Sequence, residues 1–479
     1  MKPGYVFLTV LLVAAQALLA VEPTMTIPVL YIETENHKPV DSKEAYVEAK
    51  AWIDASMTDD YESLGSAAEP LLLGIRGRGN ASWISYEKKP YKLKFVSRRS
   101  PLGLTRSKHF ALIHYPGANS TPTREPLGFE LGRRIGLGWT PGQREVEVVL
   151  NGDYLGWYYL TESIKVDPLR VDITEQADLE QDADKVENGW LVEIDNYADD
   201  YQTIYNQPDG KILRLTHKSP EVLSEVQQDY IDSNFEALIE AVFNEDSDDW
   251  KDYIDPVTCA RYYIVQEVIH NYDAFNGSFY LYKEGGSRWT FGPLWDLAYS
   301  LDKVKTAPIL DDLPASNVPK LMTQLLKFDD FRLEVIRQWS EFYESDRSWI
   351  DRVAERIGRV MDKPGKRNAE RWQTSQTDLR NGAAHAASLV KANIEWLNGY
   401  FASDRFMSSI DEKPMQITPP DYGYRLEGQR VYAAPGTRVY DLGGNEVFPS
   451  DAGGRVFDVS APGVYIIRNE AGVSKIHVR

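Results

Sequence analysis

The sequence predicts an α+β protein: a strand-rich beginning, a stretch richer in helix, a helical extension, and a small all-β tail. Three observations predict it. Apolar and polar residues alternate through much of residues 26–164, helical periodicity dominates from about 220 to 401, and residues 424–479 read as strand and turn throughout. The 479 residues suffice for two to four domains of ~100–200 residues each.

At the N-terminus, Lys2 followed by YVFLTVLLVAAQALLA reads as a secretory signal, residues 1–20, with cleavage near Ala17 or Ala20. The run is shorter than the ~20 apolar residues of a membrane span. Residues 26–33 alternate like a strand, and 71–75 form a short apolar run leading into Arg76-Gly77-Arg78-Gly79-Asn80. In YKLKF, Tyr91, Leu93 and Phe95 share one face of a strand and Lys92 and Lys94 the other. A helix is expected from Pro122 to Ile135, capped by Thr121 and stopped by Gly136. Two alternating runs around Asn151-Gly152 form the clearest hairpin. Further on come a strand at 189–195, a helix from Pro220 to about Phe243, and another from Pro256 to about His270. A second hairpin turns at Gly285-Gly286, and the chain is expected to be helical throughout from about Leu321 to Phe401.

Charge is unevenly spread. The net charge is −19, which argues against nucleic acid as a general partner, because phosphate backbones need positive surface. Yet residues 75–108 hold ten Lys/Arg against one acid, whereas 172–200 hold eleven acids against one base. An acidic chain with one basic stretch suits a compact, highly charged anion there. With aromatics at 12%, the chain can bury enough surface to fold. Cys259 is the only cysteine, so no disulfide can form within the chain, and it reads as a buried small hydrophobe.

Several chemistries lack their residues. The seven histidines show no HExxH and no pair at ligand spacing, there is no GxSxG elbow, and RGRGN lacks the Lys-Ser/Thr of a Walker loop. What survives is an order: strand, glycine turn, lysine strand, helix, hairpin, then a helix ending in an aspartate, a hairpin, and a second aspartate. Phosphoryl transfer by protein kinases demands that order. Glycines let backbone approach phosphates, a lysine neutralises them, a helix glutamate orients the lysine, one aspartate positions the acceptor hydroxyl and another holds magnesium. On this reading Lys94 meets phosphate, with Lys92 as runner-up, and Glu130 or Glu125 pairs with it. Arg78 of the glycine turn joins the nucleotide set. Thr161-Glu162 is the hinge whose backbone meets the base. Asp273 positions the acceptor, and Asp296 binds metal. Taken singly, each aspartate is equally a helix-end or turn residue.

At these residues the sequence resembles the spore-coat CotH kinase family. The matching text is RGRGNASWISYEKKPYKLKF at 76–95, TREPLGFELGRRIGL at 123–137, VEVVLNGDYLGWYYLTESI at 146–164, NGWLVEID at 188–195, HKSPE at 217–221, QEVIHNYDAFNGSFYLYKEGG at 266–286 and GPLWDLAYSL at 292–301. The resemblance implies an atypical protein-kinase-like fold of two lobes that binds ATP with Mg²⁺ or Mn²⁺ and phosphorylates Ser/Thr of a protein substrate. It gives Asp273 and Asp296 the catalytic and metal roles and Lys94 the nucleotide role. Two departures stand out. Leu297-Ala298 follow Asp296, so the second carboxylate that many members carry is missing, and Ser278 stands where a classical kinase has a metal-binding asparagine, leaving Asn276 as the nearest amide. Asp302 is a further candidate ligand.

The expected organisation is a signal peptide at 1–20, a kinase-like domain at 24–402 divided near residue 164, a Pro-rich linker at 403–423, and a β-sandwich at 424–479. VYDLGGNEV at 439–447 and APGVYIIRNEAGVSKIHVR at 461–479 resemble a C-terminal sorting domain of exported bacterial proteins. The expected address is therefore secreted or cell surface, the expected partners are ATP, a protein substrate and the export machinery, and no transmembrane segment is expected in the mature chain. The alternative function is a non-catalytic surface protein, either a binding module or a scaffold.

Overall fold

The computed structural model describes residues 22–197, 201–313 and 321–407, and beyond them seven strands between Tyr424 and Val478. The signal at 1–20 and the linker from 408 to 423 lie outside the described residues. The mixed α+β class holds.

The first part of the described chain forms a closed barrel. Its strands are β1 (Val29–Thr34), β2 (Val47–Asp54), β3 (Leu71–Gly77), β4 (Tyr91–Arg99), β5 (Ser107–Ile113), β6 (Gln143–Leu150) and β7 (Asp153–Glu162). They run in the order β1-β2-β3-β4-β5-β7-β6. Closure comes from β1 lying parallel to β6, Val29 opposite Glu147 through Ile32 opposite Leu150. No local pattern encodes that pairing, which joins strands far apart in the chain. Alternation decides the interior: Tyr91, Leu93 and Phe95 pack inward with Ile75, Phe110, Leu112, Val146, Val148 and Leu160. The β6–β7 hairpin turns on Asn151 at φ 53° and Gly152 at φ 82°, the left-handed pair of a type I′ turn.

Helix boundaries correct the sequence expectations where side chains found other partners. A one-turn helix α1 (Ala81–Ser85) precedes β4, and α2 spans Thr121–Ile135. Thr121 is the first helical residue rather than the cap; Ser120 precedes it and accepts a hydrogen bond at 3.0 Å from Arg124 Nη2. The helix expected from Pro220 is α3 (Glu225–Phe243), which starts later because Ser224 and Gln227 form a reciprocal capping box. After the turn α4 (Trp250–Tyr253), α5 (Pro256–Ile269) ends on left-handed His270.

After the barrel comes a five-stranded sheet of β8 (Trp190–Asp195), β9 (Gln202–Asn206), β10 (Ile212–Ser219), β11 (Phe279–Lys283) and β12 (Thr290–Phe291), ordered β12-β11-β8-β10-β9. α3 and α5 share one large apolar core with it, and Cys259 is buried there. The single turns α6 (Ile309–Asp312) and α7 (Met322–Leu325) lead to α8 (Asp329–Tyr343), α9 (Trp349–Val360), α10 (Asp362–Trp372) and α11 (Leu379–Phe401). The region from Leu321 to Phe401, expected to be helical throughout, is interrupted between Trp372 and Leu379, where Gln373 is left-handed and Asp378 caps α11. These helices fold back onto the barrel. Arg356 makes two hydrogen bonds to Glu145, at 2.7 and 2.9 Å, and Trp372 Nε1 donates to the Leu155 carbonyl at 2.9 Å.

A further turn, α12 (Asp404–Met407), occupies the start of the expected linker and buries Phe406. In the tail, β13 (Tyr424–Glu427), β14 (Arg430–Ala433) and β17 (Val456–Asp458) form one sheet. β15 (Arg438–Asp441), β16 (Glu446–Phe448), β18 (Gly463–Asn469) and β19 (Gly472–Val478) form another. Among the described residues, no helix is long and apolar enough to cross a membrane.

Candidate functional site

Carboxylates gather where several elements around the five-stranded sheet end. β8 carries Glu193 and Asp195, two residues apart and so on one face. α5 delivers Asp273 just beyond its left-handed end, and the chain leaving β12 delivers Asp296. This corner is strained. Of thirteen non-glycine residues with positive φ among the described residues, five (His270, Phe275, Ser278, Asp296 and Leu301) fall between 270 and 301. Backbone held in that region costs free energy and persists where surrounding structure over-determines it, often at functional sites.

Asp296 is open to solvent by its own surface, yet protein surrounds it, which places it on the floor of a concavity. Its carboxyl is pushed up to about 6, chiefly by that enclosure and then by the charge of Asp273; Arg78 pulls the other way and Glu193 adds to the rise. Asp195 is also pushed up to about 6, by burial and by Glu193. Behind them lies Glu125 of α2, 1% exposed. It accepts hydrogen bonds from Gln143 Nε2 at 2.6 Å and from the Leu297 N–H at 3.4 Å. Burial, and after it the charge of Asp296, push its carboxyl up to about 8.

Cations face this group from the barrel. The Arg78 guanidinium lies 5.5 Å over the Trp295 ring, next to Asp296, and its charge is felt by both Glu125 and Asp296. On the outer face of β4, Lys92 stands opposite Arg76 of β3, and Lys94 opposite His109 of β5. The two lysines differ in depth. Lys92 is pulled down to about 7 by burial and then by Lys165, Arg76 and Arg78, whereas Lys94 is exposed with its ammonium 5.9 Å from the Tyr46 ring. Lys218 of β10 bonds Glu193 at 2.7 Å and so joins the acidic and basic sides.

The structure thus brings Arg78, Asp273 and Asp296 together, with Lys92 in the electrostatic reach of Arg78. Other predicted residues take partners different from those expected. Glu130 is on the outer side of α2, bonded to Arg133 at 3.2 Å and Arg134 at 2.8 Å. Its companion Glu125 touches the backbone beside Asp296 rather than a lysine. Glu162 pairs across the sheet with inward-facing Phe110, and its carboxylate takes the N–H groups of Thr105 and Gly142, fastening two loops. Asn276 is buried, its N–H bonded to the Asp273 carbonyl at 3.2 Å. Asp302 pairs with Arg124 at 2.8 Å. The glycine turn has a packing reason of its own: a Cβ on Gly77 would meet the Trp83 ring at 2.5 Å, and Gly79 is left-handed at φ 80°. Sequence reasoning missed Lys165, Lys218, Glu193 and Asp195. The last two carried a signal, since acids at alternate positions of an apolar strand share a face.

Among the described residues, no three or more His, Cys, Asp or Glu side chains converge as a metal cage. A divalent cation carried with phosphates needs only one or two protein carboxylates, the phosphates and water completing its shell. Asp273 and Asp296 fit that demand, because the repulsion that raises Asp296 is what a cation relieves. Neighbouring carboxylates and cations of this kind can hold a charged phosphate chain with its metal. The chain is similar to the family described as CotH kinase protein, whose model matches residues 75–401. No curated protein matches it.

Proposed function

The chain belongs to the CotH kinase family, and from that premise we propose that it is an exported protein kinase moving the γ-phosphoryl group of ATP to a Ser/Thr hydroxyl of a protein. The observation that supports this reading is Asp296 in charge range of Asp273, with Arg78 stacked 5.5 Å over the adjoining Trp295 ring. The barrel serves as the nucleotide lobe and the sheet with its helices as the second lobe. Arg78 and Lys92 take phosphate oxygens, with Lys94 at the rim. Asp273 orients the acceptor hydroxyl and receives its proton as the acceptor O–P bond forms and the bond to the ADP oxygen breaks. Mg²⁺ or Mn²⁺, held through Asp296 beside Asp273, supplies charge neutralisation on the phosphates.

A second reading, a non-catalytic surface protein of the same fold, draws on one observation. Leu297 is buried and the Ala298 carbonyl takes Arg124 at 3.4 Å, so the positions after Asp296 give no second carboxylate. Titrating the purified protein with ATP, with and without Mn²⁺, and following labelled phosphate into protein decides between them. The kinase reading expects metal-dependent stabilisation and transfer, both lost in Asp273→Ala and Asp296→Ala. Binding without transfer, indifferent to Asp296→Ala, selects the other. Export through residues 1–20 and surface retention through the tail belong to the same proposal. An intact Met1 on protein recovered from the native cell would remove the export component.

A further inference from the structure

A second cluster adjoins the carboxylates. Lys165, from the segment after β7, and Lys92, from β4, are distant in sequence but close enough that Lys165 is the first charge acting on Lys92. Burial pulls Lys165 below its ordinary range too, with Lys218 and Lys94 adding to the effect. Arg76 and Arg78 act on Lys92 from β3 and its turn; Glu221 and Glu175 are the carboxylates that act on Lys165, and both are exposed. Two buried nitrogens beside these lysines, Arg76 Nε and His109 Nδ1, have no hydrogen-bond partner among the described residues. A cavity of about 460 Å³ opens beside Lys165, lined by Lys165 and Lys218, by the carboxylates of Glu175, Asp178 and Glu221, and by Gln176 and Ser219.

Crowding like charges in a half-dry cleft is costly unless something compensates. Lys88 shows what a structural buried lysine looks like in this fold. It donates to the Trp157 carbonyl and to Asn368 Oδ1 and lies against the rings of Trp157 and Tyr158. The Lys92–Lys165 cluster is instead rich in charge and leaves buried nitrogens unbonded, the pattern of a site whose anion is supplied from outside.

We propose that Lys165 is a phosphate-binding residue, forming with Lys92, Arg76 and Arg78 a clamp for a ligand that carries adjacent phosphate groups. That the ligand is a nucleoside triphosphate rests on the kinase reading; the polyphosphate chemistry rests on the cluster itself. The clamp extends the cleft from Asp296, through Glu193 and its partner Lys218, to the cavity beside Lys165.

Calorimetric titration of the full chain with inorganic tripolyphosphate, and separately with ATP and Mn²⁺, tests it. The wild type should bind tripolyphosphate without nucleoside, Lys165→Met should weaken it about tenfold or more, and Lys165→Arg should restore most of the loss. Arg134→Gln, on the outer side of α2, should leave binding unchanged. Without ligand, Lys165→Met should melt at or above the wild-type temperature, since it removes a crowded charge, whereas a structural lysine would lower it. Tripolyphosphate binding by Lys165→Met within twofold of wild type, or no binding by wild type, overturns the clamp. Binding that needs Lys165 in a protein that transfers no phosphate sustains the clamp and removes the kinase reading.

Discussion

Arg78 covers the ring of Trp295 at 5.5 Å, fastening the turn after β3 to the turn that presents Asp296. The contact is a cation–π stack between the turn after β3 and the chain leaving β12. It keeps a positive charge within reach of Asp296 and Glu125 without placing it in a closed ion pair.

Arg78→Ala should therefore lower phosphoryl transfer by about 10²-fold, the loss expected for one preorganised charge-stabilising group. Thermal unfolding should change little. Initial-rate measurements with labelled ATP check this, and near-wild-type transfer would place the phosphate away from Arg78.

Asp296→Asn should abolish metal–ATP stabilisation while leaving the unliganded protein as stable as wild type, or a few °C more so. Asp273 raises the Asp296 carboxyl, so removing one charge of the pair relieves repulsion. Scanning calorimetry with and without Mn²⁺ and ATP separates the two effects. A variant that melts well below wild type while still gaining from the nucleotide would refute it.

Stability should depend on pH through Glu125, whose carboxyl is pushed up to about 8 from an ordinary 4.5. A raised folded pKa contributes stability that is full below about 4.5 and is lost as pH rises towards about 8. Glu125→Gln, neutral at every pH, should match the wild type near pH 4 and melt a few °C higher near pH 9. Parallel melting curves across that range would show that the carboxyl titrates normally.

Glu267 and Lys305, both wholly buried, pair at 2.6 Å, and Glu267 also holds the Ile309 N–H at 3.0 Å. Lys305 further bonds His270 at 2.8 Å, and His270 bonds Asp312 at 2.8 Å, tying the end of α5 to residues 302–312. Glu267→Gln leaves a buried ammonium without its countercharge and should cost about 3–5 kcal/mol. The double variant Glu267→Met with Lys305→Met should recover much of that in urea unfolding. A single-variant loss below about 1 kcal/mol would mean that water or His270 already satisfies the lysine.

The sequence by itself determined what short-range patterning can carry: the inward face of β4, the Asn151-Gly152 turn, the α+β class, and the aspartates that close α5 and the second hairpin. It could not separate Lys92 from Lys94, which share a strand face and differ only in how much protein lies above them. Nor could it say that Glu125 is buried and Glu130 is not, because which side of α2 meets the core depends on what packs there. Those choices, the β1–β6 closure, the return of α9 onto the barrel through Arg356 and Glu145, and the arrival of Lys165 beside Lys92 belong to the tertiary structure. The physical reason is range. Backbone periodicity is set by neighbours a few residues apart, whereas burial and electrostatic coupling are set by whatever distant chain comes to rest alongside.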